Sequence, residues 1–146
     1  MAIIQTGITI NAAPGDVFAL LSEHARLGEL GGGTSRLLKP GILHPNGKGA
    51  VREIKVGGLR FEEEITAFEP EFSYSYQILS CTLPFTHEGG TVTVKTAAGH
   101  ADVHWESTFY WPIPILGGLL DAVTVRQGAA GFLKILRAAK RELEAA

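Results

Sequence analysis

The sequence predicts an α+β fold in which a seven-stranded antiparallel sheet wraps around a long C-terminal helix, with two short helices after the first strand. Three observations carry that expectation. Residues 34–111 break into six runs with apolar and polar residues alternating, separated by Gly, Pro and Asn turn formers. From about residue 115 to 143 the apolar spacing becomes helical. A helix with one apolar stripe needs a surface to bury it, and only the concave face of such a sheet is large enough.

The elements follow in order. Residues 3–11 carry Ile8 and Ile10 at strand period, and Pro14 then stands where the first turn of a helix tolerates a missing N–H. Val17, Phe18, Leu20 and Leu21 give that helix one apolar side. A second short helix over 25–30 ends at Gly31-Gly32-Gly33. Strands are expected at 34–43, 49–57, 60–68, 72–81, 90–97 and 101–111. The breaks between them are Pro45-Asn46-Gly47, Gly57-Gly58, Glu69-Pro70, Glu88-Gly89-Gly90 and Ala98-Gly99. In the long helix Leu116, Leu120, Val123, Phe132, Leu136 and Leu143 fall on or near one side, with Lys134, Arg137 and Arg141 on another.

Composition bounds the function. At 146 residues the chain is near the modal domain size, so 1–146 reads as a single domain. A hydrophobic share of 45% against 19% charged excludes disorder as the main state. The net charge of −2 gives no basic field, so no nucleic-acid partner is expected. Cys81 is the single cysteine, which excludes an intrachain disulfide or a cysteine-built zinc cluster and points to a reducing compartment. The first residues lack the pattern of a secretory leader and no segment reaches the roughly 18 apolar residues of a span. A cytoplasmic protein without integral membrane association is expected. Most of the 18 glycines serve turns and helix ends, but Gly128 and Gly131 lie inside the long helix. Each costs about 0.5–1 kcal/mol there relative to alanine. They either make room for bulky strand aromatics or leave a cavity.

Five segments occur in a telling order: Ile-Thr-Ile-Asn-Ala-Ala-Pro-Gly-Asp-Val-Phe (8–18), Gly-Ala-Val-Arg-Glu (49–53), Glu-Glu-Ile-Thr-Ala-Phe-Glu-Pro (63–70), Tyr-Ser-Tyr (74–76) and Val-His-Trp (103–105). In order and spacing the chain resembles the START/Bet v 1-like (SRPBCC) superfamily, particularly its polyketide cyclase/dehydrase-like branch. The resemblance covers nearly the whole chain. It implies a helix-grip fold with a deep apolar cavity between sheet and helix. It also implies a hydrophobic ligand, without choosing among the lipid carriers, plant hormone receptors and aromatic cyclases of the superfamily.

Strand alternation nominates the cavity face. It turns Arg52, Ile54 and Val56 inward, then Phe61, Glu63 and Ile65, then Tyr74, Tyr76 and Ile78, then Val103, Trp105, Ser107 and Phe109. Asp102, His104, Glu106 and Thr108 point outward. The four aromatics Tyr74, Tyr76, Trp105 and Phe109 either stack on a flat ligand or simply fill the core. Leu59, Val123 and Gln127 complete the candidate ligand contacts. Arg52 and Glu63 are neighbours whose burial demands pairing, and they are the candidate catalytic residues. The resemblance to the hormone receptors adds Arg36 as a basic ligand contact and gives Glu63 a water-holding role. In the same receptors Gly57-Gly58-Leu59 resembles a mobile gate, although a tight hairpin uses the same residues.

Other chemistry finds no support. His100 and His104 lie roughly 13 Å apart along an extended strand, too far to share one ion, so no metal is expected. The 41–48 loop has the wrong length for a phosphate loop, no nucleophile elbow occurs, and Cys81 reads as structural. No cofactor is expected. The uncharged 111–120 stretch rims the cavity, enters the helix, touches a membrane or buries in a homodimer. The leading reading is a binder of an aromatic, polyketide or lipid-like molecule. The alternatives are a cyclase/dehydratase in which Glu63, Arg52 or a tyrosine moves protons, and an interaction module that uses 111–120.

Overall fold

The computed structural model describes residues 1–145. Strands β1 (Ala2–Ile10), β2 (Thr34–Lys39), β3 (Val51–Val56), β4 (Leu59–Glu69), β5 (Ser73–Cys81), β6 (Thr86–Ala97) and β7 (His100–Tyr110) form one antiparallel sheet, ordered β1-β7-β6-β5-β4-β3-β2. Helices α1 (Pro14–Ser22) and α2 (His24–Leu30) follow β1, and α3 (Gly117–Ala145) follows β7. This is the helix-grip arrangement the sequence predicts. Pro14 opens α1, where the missing N–H costs nothing. Gly57 and Gly58, at φ 59° and 81°, close a two-residue hairpin between β3 and β4.

The core has two storeys. In the storey closed by α1 and α2, Val17, Phe18 and Leu21 meet Ile10, Ile65, Tyr74, Val92, Val94 and Val103 of the sheet. Leu136 and Ala139 of α3 are completely buried there. A leucine so placed contributes about 1.5–3 kcal/mol, which anchors the second half of the helix. The first half differs. Leu116 is 55% and Val123 45% exposed, so the apolar stripe expected through them does not face the sheet. The inward side of that half is instead Thr124, Gln127, Gly128 and Gly131, at helical spacing and leading into Phe132 and Ile135.

Two element boundaries depart from the sequence reading for backbone reasons. The second strand stops at Lys39 because Pro40 offers no ladder N–H. The next residues close their own loop, with Gly41 N–H donating to Pro45 C=O and Ile42 N–H to Lys48 C=O. The sixth strand begins at Thr86, so Glu88-Gly89-Gly90 lies inside it and is not a turn. The register steps from His87 opposite Phe109 to Gly89 opposite Thr108, a β-bulge with Gly89 at φ 149°. The bulge inverts the alternation, so that His87 and Gly90 both face the concave side.

Candidate functional site

The second storey is hollow. Between the sheet and the first half of α3 lies a cavity of about 350 Å³. Its sheet wall carries Ile54, Phe61, Ile78, Trp105 and Phe109, and its helix wall Gly128, Gly131, Phe132 and Ile135. The two helix glycines have separate roles. A Cβ on Gly128 would lie 2.5 Å from Ile4 Cδ1, so this glycine lets α3 approach β1. A Cβ on Gly131 would meet nothing within 4 Å; its missing side chain leaves open space. Phe132 then stacks on Trp105, with ring centroids 4.0 Å apart and planes 7° from parallel, and forms the partition between the storeys.

Besides Thr124, Gln127 and Lys134 on the helix side, two buried polar groups interrupt the apolar lining. Arg52 and Glu63 are cross-strand partners on β3 and β4 and are 0% and 6% exposed. Arg52 Nε donates to Glu63 Oε1 at 2.9 Å. Its Nη2 lies 2.7 Å from the same oxygen but off the line of a hydrogen bond. The guanidinium carbon stands 5.4 Å from the ring centroids of both Tyr74 and Tyr76. Burial penalises this charge, yet Glu63, with a contribution from Tyr74, offsets the penalty and holds the guanidinium above its ordinary pKa. Nη1 lies 3.4 Å from His24 Nδ1. Burial, reinforced by the Arg52 charge, pushes His24 down to about 3, so its neutral ring accepts from the guanidinium.

The second polar group depends on the bulge in β6. His87 is buried and stacks on Tyr76, with ring centroids 5.5 Å apart. Ile78 N–H donates to His87 Nδ1 at 3.0 Å, and His87 Nε2 lies 2.8 Å from Ser107 Oγ. Burial pushes His87 down to about 4, so the ring is neutral near pH 7. Tyr76 reaches across β6 above Gly90, where a Cβ would lie 2.2 Å from its Cζ. There its hydroxyl accepts from Trp105 Nε1 at 2.8 Å. Burial raises the pKa of that phenol, which stays protonated.

Of the residues nominated from sequence, Arg52, Ile54, Val56, Leu59, Phe61, Glu63, Tyr76, Ile78, Trp105, Ser107, Phe109 and Gln127 border the cavity. Four do not. Arg36 points out from β2 and donates from Nε to Glu53 Oε1 at 3.1 Å, its side chain 69% exposed. The inward neighbour is Ser35, which pairs with Ile54 and bonds the backbone of α2, so the position the resemblance implies lies on the outer face. Tyr74 belongs to the filled storey, where its hydroxyl donates to Leu21 C=O at 2.9 Å. Val103 packs in the same storey, and Val123 is on the outer side of α3. The lining residues that the sequence does not nominate include His87, Ile4, Phe85, Thr124, Lys134 and Ile135. Phe132 is predicted from sequence only as part of the helix stripe. Helical spacing from Gly128 and Gly131 would have found Phe132 and Ile135, but nothing signals His87, because the bulge that turns it inward reads as a turn.

Other nominated groups stand apart from the cavity. His100 and His104 each sit 3.6 Å from a different carboxylate, Asp102 and Glu106, on the outer face. Cys81 is half-buried, and burial raises its thiol pKa, which opposes a nucleophilic role. Among the described residues no helix is long and apolar enough to cross a membrane.

Comparisons with known proteins agree with this architecture. No curated protein matches the chain in sequence. Among solved structures, XoxI from Bacillus cereus superposes with a TM-score of 0.76 at 22% identity, over 98% of this chain and 96% of that one. A START superfamily protein from Mycobacterium smegmatis gives 0.77 at 7% identity, over 99% of each chain. The Aha1 dimer from Colwellia psychrerythraea gives 0.71 at 15% identity, over 99% of this chain and 97% of that one. At these identities the likeness shows the fold. Residues 1–144 match the family described as polyketide cyclase / dehydrase and lipid transport, and the chain belongs to that family.

Proposed function

We propose that the protein binds a hydrophobic small molecule, ring-based or otherwise compact, in the cavity between the sheet and α3. The observation that carries this reading is the unfilled storey itself. A packed domain closes voids of this size, whereas here Gly131 keeps one open beside Trp105 and Phe132. Its volume of about 350 Å³ is near the lower end of small-molecule sites, roughly 300–1,000 Å³. That favours a few rings over a two-chain lipid. Arg52, Ile54, Val56, Leu59, Phe61, Glu63, Tyr76, Ile78, Trp105, Ser107, Phe109 and Gln127 are the proposed contacts.

The chemistry of the wall supports binding over nucleophilic catalysis. Because Ile78 N–H occupies His87 Nδ1, the neutral ring carries its proton on Nε2 and donates to Ser107. It cannot take the serine proton, so Ser107 is not an activated nucleophile. A cyclase or dehydratase remains the second reading, favoured by Glu63, whose carboxylate borders the cavity. Native mass spectrometry of the purified protein, followed by displacement of a lipophilic dye, tests the binding reading. A retained or saturably bound apolar molecule supports it, and no binding by a folded sample refutes it. Turnover of a poly-β-ketone by the wild-type protein would select the enzyme.

The compartment that fits a lone free cysteine is the cytoplasm. A homodimer, the state named for the Colwellia relative, would cover the exposed Ile115, Leu116 and Leu119. Sedimentation at rising concentration tests it.

A further inference from the structure

The polar row beside Trp105 specifies what the ligand must carry, an inference that rests on the proposed binding role. Each hydroxyl in the row has its acceptor side occupied by a protein donor. Trp105 Nε1–H donates to Tyr76 Oη. His87 Nε2–H donates to Ser107 Oγ, since Nδ1 is held by Ile78 N–H. Neither the Tyr76 nor the Ser107 hydroxyl proton has a protein acceptor among the described residues. The two groups also stand at one level of the sheet. Tyr76 is opposite Gly90 and Gly90 opposite Ser107, on three consecutive strands. The Tyr76 ring leans over the missing Gly90 side chain toward β7. Two O–H donors therefore face one apolar space without partners, and a buried donor left without one is costly.

The bulge at Glu88-Gly89 is the device that sets this pattern. In an unbulged strand, the alternation that turns Gly90, Val92 and Val94 inward would put Glu88 on the wall and His87 in solvent. The extra residue removes a carboxylate, which would have accepted from Ser107, and installs a ring whose tautomer makes Ser107 a donor.

We infer that the cavity selects a ligand bearing a hydrogen-bond acceptor oxygen, a ring ketone or quinone carbonyl, held by the Ser107 and Tyr76 hydroxyls, with His87 as the positioning residue that fixes the Ser107 proton. A ligand with only a C–H edge there leaves both donors unmet, and loses to the carbonyl analogue despite equal shape.

Fluorene and 9-fluorenone share a ring frame and differ by that one oxygen, so their dissociation constants read the preference directly. In a wall without donors fluorene binds tighter, because the carbonyl surrenders its water bonds for nothing. The wild-type protein is expected to favour 9-fluorenone by roughly tenfold, the effect of one to two good hydrogen bonds. The Ser107→Ala/Tyr76→Phe double variant, checked for folding by circular dichroism, is expected to reverse the order. Equal affinities in the wild type, or a preference that survives in the variant, overturns the inference while leaving cavity binding intact. Binding of neither probe overturns both. An independent readout is the ¹⁵N spectrum of the His87 ring, expected to show Nε2 protonated and Nδ1 bare; the opposite tautomer overturns the inference without reference to any ligand.

Discussion

Neutralising Glu63 should be among the most damaging single changes in the protein. The substitution Glu63→Gln preserves volume and the cross-strand position but strips the counter-charge from a guanidinium that is 0% exposed. Arg52 cannot escape by losing its proton, because the side chain is protonated at any accessible pH. Nor can its neighbours replace the charge. The rings of Tyr74 and Tyr76 lie 5.4 Å away and His24 Nδ1 at 3.4 Å, all neutral groups. Removing one member of such a pair typically costs about 3–5 kcal/mol, against a total stability on the order of 5–15 kcal/mol. At about 2–4 °C per kcal/mol for a domain near this size, the melting temperature should fall by roughly 10–15 °C. Thermal unfolding followed by circular dichroism measures the shift, and urea denaturation the free-energy loss. Replacing both partners by apolar residues, Arg52→Met with Glu63→Leu, should recover most of the loss, since that also removes the desolvation penalty. A Glu63→Gln loss of under about 1 kcal/mol would mean the pair behaves like a solvated surface bridge, and would refute the reasoning.

Three further changes test separate parts of the account. Gly90→Ala places a Cβ 2.2 Å from Tyr76 Cζ, so the ring must shift and release Trp105; we expect a loss of about 1–3 kcal/mol and a moved Trp105 indole N–H resonance. Gly131→Ala meets empty space and should stabilise by up to ~1 kcal/mol, whereas Gly128→Ala meets Ile4 Cδ1 at 2.5 Å and should fall short of it, as paired denaturation curves will show. The buried neutral histidines make the protein acid-sensitive. His24 and His87 sit near 3 and 4 when folded against 6.5 as free side chains, so their protons favour the unfolded state. Stability should be full above pH 6.5, fall as the pH drops toward about 4, and level off below both folded values. Between pH 7 and 5 on the order of 2 kcal/mol is lost for each ring, and a flat stability over that window would contradict the assignment.

The legible parts of this molecule were those governed by local rules. Turn chemistry and period predict all seven strands and three helices, because Gly57-Gly58, Glu69-Pro70 and Ala98-Gly99 act on their own neighbours. Period-2 alternation likewise turns Arg52, Glu63, Tyr76, Trp105 and Ser107 inward, and the structure places all five on the cavity wall. Where reading failed, the cause was non-local. Alternation reports a face but not a storey, so Tyr74 and Val103, which share a face with Tyr76 and Trp105, pack in the filled half instead. Arg36 was carried over by resemblance alone, and the strand register turns it outward, opposite Glu53. His87 was hidden by a bulge whose Gly89-Gly90 pair imitates a turn, and its partner contacts arise only from the folded pairing with Ile78 and Ser107. The glycine pair in α3 posed a choice between packing and space. The structure gives one glycine to each.

A binding role requires the hollow storey to be a receptive one. Intermolecular NOEs between bound 9-fluorenone and the protein's methyl groups test that most directly. Saturable binding is expected, with contacts to Ile54 and Ile78 of the sheet wall and Ile135 of the helix wall. Absence of binding by the folded protein, or contacts confined to the exposed Leu116 and Leu119 on the outside of α3, would contradict it.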